Sequence, residues 1–144
     1  MTLSIRERIT AQVVTVLEAA LTDVQVERNR DTAVGTYPSL IVYTGGQRAE
    51  RLGPGIDEYN LDLVLEGFVA AEDGASGHSA LNDLYARAVA ALYADPTLGG
   101  LAVDVQETAL AEELSNDGSQ HVASFILQMD LKYQTAAGDP YSLP

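Results

Sequence analysis

Within residues 58–66 the chain alternates: Tyr59, Leu61, Leu63 and Leu65 are apolar, while Glu58, Asn60, Asp62 and Glu66 are polar. Successive side chains of a strand point to opposite faces, so a period of two sorts this set onto one face and the polar set onto the other. A helix would scatter the same residues around its surface. The segment is therefore predicted to be a strand with one packed and one wet face, the usual condition of an antiparallel sheet. A second long strand repeats the pattern, with Ala123, Phe125, Leu127, Met129, Leu131 and Tyr133 on one side and Ser124, Gln128, Asp130 and Lys132 on the other.

Three shorter strands fit around these two. Tyr37-Pro38 opens the compact apolar run Leu40-Ile41-Val42-Tyr43, and Pro38, which cannot donate to a ladder, suits a strand start. Residues 24–28 and 101–105 alternate over shorter lengths. Ser4 and Glu7 have capping-box spacing, and Ile5, Ile9, Val13, Leu17 and Leu21 recur behind them at helical intervals, predicting a helix over 5–21. A second helix is predicted from Ser79, with Leu81, Leu84, Tyr85, Ala88 and Leu92 on one stripe, ended by Asp95-Pro96. The order is α-β-β-β-α-β-β. This is an α+β fold: a mostly antiparallel sheet of four to five strands with two helices packed on one face.

The expected pairings are 39–43 with 58–66 and 101–107 with 122–133, with Tyr59, Leu61, Leu63, Phe125, Leu127 and Met129 buried. Residues 1–136 form a single α+β domain, and 137–144 read as an extended C-terminal tail. Residues 44–57, with Gly45-Gly46 and Gly53-Pro54-Gly55, read as a loop too long for a tight hairpin turn. Residues 72–77 read as a loop of small and acidic residues, and 112–120 as a polar loop turning at Asn116-Asp117-Gly118.

Charge narrows the function classes. The 144 residues carry a net charge of −13. Residues 1–56 hold six basic and six acidic side chains, whereas 57–144 hold only Arg87 and Lys132 against fifteen carboxylates. Tight binding to nucleic-acid phosphates is disfavoured. There is no cysteine, hence no disulfide or thiolate chemistry, which fits a reducing cytosol. The start, MTLSIRERITAQ, lacks the apolar core of a signal peptide, and no run of about 18 apolar residues is present to span a membrane.

Catalytic and cofactor signatures are missing from the sequence: there is no phosphate loop, no G-x-G-x-x-G and no G-x-S-x-G elbow. The two histidines, His78 and His121, would need Asp73 or Asp117 to hold a metal, and no spacing demands it. His78-Ser79 are adjacent, a poor arrangement for a base and its nucleophile. Asp57-Glu58 and Glu112-Glu113 read as solvated charge pairs. The expectation is a protein that is not an enzyme and that uses no cofactor or metal.

The arginines have two readings. Arg48 and Arg51 flank Glu50 in the 44–57 loop, and Arg28 and Arg30 end the first strand. Either they keep a loop soluble, or a mobile arm bearing them docks on the carboxylate-rich half of a neighbouring subunit. On the second reading the loop becomes ordered only against that neighbour.

The order of elements, with Tyr37-Pro38-Ser39-Leu40-Ile41-Val42, Glu58-Tyr59-Asn60-Leu61-Asp62-Leu63, Asp95-Pro96-Thr97-Leu98-Gly99-Gly100-Leu101, Lys132-Tyr133-Gln134-Thr135 and Gly138-Asp139-Pro140-Tyr141, resembles the tail terminator (minor tail protein U-like) proteins of long-tailed bacteriophages over nearly the whole chain. The resemblance implies a homo-oligomer, a hexameric ring that caps the tail tube, stops its polymerisation and joins it to the head. Its partners would be copies of itself, the tube protein and neck or head-completion proteins. Its place would be the head-proximal end of the tail in a virion assembled in the host bacterial cytoplasm. DNA would pass through the hole without specific binding. Carboxylates are then expected to line that hole: Asp62, Glu66 and Asp104 from strand faces, and Glu72, Asp73, Glu112, Glu113 and Asp117 from loops. The family brings no catalytic residues. Another neck or head-completion protein is the alternative, ahead of a non-viral ligand-binding α+β domain or a small enzyme.

Overall fold

The computed structural model of the chain describes residues 1–29, 35–117 and 120–144, the side chains of 116, 117 and 120 excepted. Helix α1 spans Ile5–Ala20, β1 Gln25–Arg28, β2 Ser39–Leu52, β3 Ile56–Ala71, α2 Gly74–Tyr93, β4 Asp104–Asp117 and β5 Gln120–Ala136. The Ser4 hydroxyl caps α1 by accepting from the Glu7 N–H at 3.1 Å.

The five strands form one sheet in the order β1-β2-β3-β5-β4. Both expected hairpins are present, β2 with β3 and β4 with β5, and β3 also pairs antiparallel with β5 through the middle of the sheet. The alternation sets the register: Leu61 lies opposite Leu131, Leu63 opposite Met129, Leu65 opposite Leu127 and Gly67 opposite Phe125. β1 runs parallel to β2, so the sheet is mixed at this edge.

One core holds residues from every element. Ile5, Ile9, Val13 and Leu17 of α1 and Leu81, Leu84, Ala88 and Leu92 of α2 pack with Leu40, Leu61, Leu63, Leu65, Val105, Leu127 and Leu131 of the sheet. Both helices therefore cover the same sheet face. Each such side chain taken out of water contributes roughly 1.5–3 kcal/mol before entropy is counted. Leu61, Leu63, Phe125, Leu127 and Met129 are buried as expected, but Tyr59 is only half-buried, stacking on Tyr133 at 4.9 Å.

Four expectations need correction. Residues 44–57 are not a loop: β2 continues to Leu52 and β3 starts at Ile56, so only 53–55 turn, with Gly53 at φ +70°. Gly45-Gly46 coincide with a register shift between Thr44 and Gln47, a bulge inside the ladder. Likewise, β4 begins at Asp104 and runs through Glu112 and Glu113, the supposed polar loop, paired with β5 up to Asp117 opposite Gln120. Helix α2 starts at Gly74, because the Asp73 carboxylate accepts from the Ser76 N–H at 2.8 Å and caps it. The tail folds back instead of extending: the Pro140 carbonyl accepts from Ile5 N–H at 2.9 Å and the Ser142 carbonyl from Ala136 N–H at 2.8 Å.

Candidate assembly surfaces

The sheet face turned away from the helices divides in two. Around the β2–β3 turn it is polar, as the alternation predicts. Glu58 accepts from Gln134 at 2.8 Å and lies 3.7 Å from the Lys132 ammonium, while Arg48 reaches Asp130 at 3.9 Å. Asp62 is exposed, opposite Asp130.

Farther along the same strands apolar side chains enter the open face among polar ones. Ile41, Glu66, Ile126 and Ala111 lie in one row across β2, β3, β5 and β4, and the row beyond it carries Ser39, Phe68, Ser124 and Glu113. Ile41 and Val122 are buried, Val64 and Phe68 half-buried, and Ile126 remains 45% exposed. Among the described residues no helix lies over this patch. These residues occupy positions that strict alternation reserves for polar side chains. The signal was present in the runs Leu63-Val64-Leu65 and Phe125-Ile126-Leu127, where the polar member of the pattern is replaced.

Glu66 sits inside this patch, and burial pushes its carboxyl above the ordinary 4.5. A carboxyl whose folded pKa is raised stabilises the fold when protonated. That contribution is complete below the unfolded value and is lost as pH rises through the folded one. Glu66→Gln is therefore expected to raise the melting temperature at pH 7, with the gain shrinking as pH falls towards about 4. Thermal melts of the two proteins across this range check it, and a gain independent of pH would show that charge burial is not the cause.

The described ones among the arginines singled out, Arg28, Arg48 and Arg51, each face an acid of the same chain. Arg28 forks onto Glu7 through two bonds of 2.7 Å, and each side chain holds the other ionised: Glu7 is pushed down, Arg28 up. Arg51 pairs with Asp57, which also accepts from the Gly138 N–H at 2.9 Å. Arg48 has the loosest hold, its side chain 71% exposed. Glu50 is exposed on the same strand, and Arg30 lies outside the described residues.

The carboxylates singled out in the sequence do not converge on one surface. Asp62, Glu66, Asp104 and Glu113 belong to the open face, whereas Glu112 falls on the helix side of β4, opposite Phe125. Glu72 is exposed before α2, and Asp73 is its cap. The side chain of Asp117 lies outside the described ones. Glu112 and Glu113 do come together with His78, Gly74 and Leu114, along a groove of about 360 Å³ between the start of α2 and β4. There His78 Nδ1 is 3.6 Å from Glu112. Among the described residues no group of three or more His, Cys, Asp or Glu gathers to hold a metal ion, and no helix is long and apolar enough to cross a membrane.

No protein-family model matches the chain, and no curated protein matches it. Among solved structures, a chain from the virion of a native gene transfer agent (GTA) particle overlaps 90% of this chain and 92% of its own length, at 12% sequence identity and a TM-score of 0.33.

Proposed function

We propose that this protein is a structural subunit of a phage-like particle that resembles a tail terminator: six copies close into a ring that caps the tail tube, ends its polymerisation and meets the neck proteins that join it to the head. The observation that carries this reading is the sheet itself. Helices cover one face, while among the described residues no helix lies over the other, which keeps apolar side chains with Ile126 exposed among them. The sequence resemblance set out above supplies the kind of assembly. In this reading the protein has no catalytic centre and no cofactor, and it works in the virion at the head-proximal end of the tail.

Carboxylates would face the hole. Asp62 and Asp104 are both exposed on the open face, and a ring repeats each of them around its axis. Phosphates passing such a wall find nothing to grip, provided the hole is narrow, since the repulsion is screened over roughly 8–10 Å at physiological salt.

Sedimentation velocity and negative-stain images of the purified protein test the ring. Closed particles with a central hole are expected, and a chain that stays monomeric at micromolar concentration contradicts the proposal. Adding the protein to polymerising tube subunits then tests the role. Arrest of tube growth is expected from a terminator, whereas unchecked growth in the presence of rings assigns the protein to another place in the neck.

A further inference from the structure

The geometry points to the joint between neighbouring copies: the outer edge of β2 in one subunit pairs with β4 of the next, so that the sheet continues from copy to copy. This rests on the ring reading and specifies its subunit contact. Among the described residues, β4 pairs only with β5, and β2 beyond Val42 pairs only with β3, because β1 ends at Arg28 opposite Val42. Residues 47–52 of β2 and residues 109–114 of β4 thus each present one unpaired side. An unpaired edge is a template for another strand.

Charge selects the partner. β4 carries Asp104, Glu107, Glu112, Glu113 and Asp117 and no basic residue. Residues 47–52 carry two arginines and one acid, Arg48 being the most exposed and most loosely held. Two copies of β4 would repel each other. β2 against β4 brings opposite charges together, in a head-to-tail contact that can close.

Strand direction agrees. Each neighbour in the order β2-β3-β5-β4 is antiparallel to the last, so β4 runs opposite to β2. A rotation about an axis along the strands preserves their direction and makes the joint antiparallel. The register that places Arg48 opposite Glu113 puts Ala49 opposite Glu112 and Arg51 opposite Leu110. Each pair then lies on one face of the continued sheet, open face to open face and helix side to helix side. It also draws the exposed Leu52, Leu110 and Leu114 (39%, 41% and 55% accessible) into the joint.

Charge reversal tests this in the full chain. Arg48→Glu alone and the pair Glu112→Arg with Glu113→Arg are each expected to weaken association about three- to tenfold per joint, and all three substitutions in one chain to restore it. Sedimentation velocity reads the association, with circular dichroism confirming that each variant is folded. If wild-type rings form and neither reversal weakens them, or the combined variant is no better than the separate ones, the edge joint is wrong while the ring stands. The acids of β4 would then serve only to guard an exposed edge. A wild-type chain that forms no ring removes both.

Discussion

Gly67→Ala is expected to destabilise the fold by about 3 kcal/mol, a drop in melting temperature of about 6–12 °C for a chain of this size. Gly67 sits on the core side of β3 directly opposite Phe125. A Cβ there would fall well inside the van der Waals envelope of the Phe125 ring. The ring cannot easily yield, because it is almost fully buried and packs edge-on against Tyr85 with centroids 6.2 Å apart. The glycine thus supplies the volume into which the Phe125 ring packs against β3. Combining Gly67→Ala with Phe125→Leu should cost less than the sum of the two, by about 1 kcal/mol in a double-mutant cycle. Full additivity would mean that the clash is relieved elsewhere.

Leu61→Asp and Asp62→Leu form the sharpest contrast the sequence allows. Leu61 is completely buried between neighbours on β2 and β5, so a carboxylate there loses its hydration without gaining a partner. The cost exceeds about 4 kcal/mol, a large share of the 5–15 kcal/mol by which domains are stable, and no cooperative unfolding transition is expected. The neighbouring Asp62 is exposed, and its replacement by leucine should change stability by less than about 0.5 kcal/mol. Denaturant titrations of both proteins check this. Similar stabilities would overturn the register of β3.

That register was legible because burial acts on every second residue, and eight of the nine positions 58–66 carry the pattern, Val64 being the exception. Both hairpins and the shared face of the helices follow from it. What escaped has local physical causes. Glycine pairs usually signal a turn, yet Gly45-Gly46 mark a bulge, and the turn was the other glycine cluster, at 53–55. Glu112 and Glu113 look like loop residues, but an edge strand tolerates acids because little covers it. Gly74 and Gly77 disguised the first turn of α2, although Gly77 is a buried residue of the helix, close to Ala71 and Ala123. The parallel pairing of β1 had no sequence signal, since four residues are too few to show a preference.

At the candidate surfaces, the sequence sorts residues by type rather than by neighbour. Arg28 and Arg51 looked like free cations until the fold placed Glu7 and Asp57 beside them. The apolar patch has a weaker signal, because Val64, Phe68 and Ile126 stand next to core residues in the sequence and only the pleat turns them to the other side.

The pairing of β3 with β5 sets the order in which a growing chain can fold. β2 and β3 close locally, Leu52 and Ile56 being 56 − 52 = 4 positions apart. On its other side β3 waits for residues 136 − 56 = 80 positions away at one end and 121 − 71 = 50 at the other. During synthesis the nascent hairpin therefore exposes the edge of what becomes the central strand, and only α1 and then α2 can shelter its apolar side. On a message translated by several ribosomes at once, that interval is when nascent chains are most apt to pair with one another instead of with themselves. Slower translation of residues 94–120 would lengthen it, and β5 ends it.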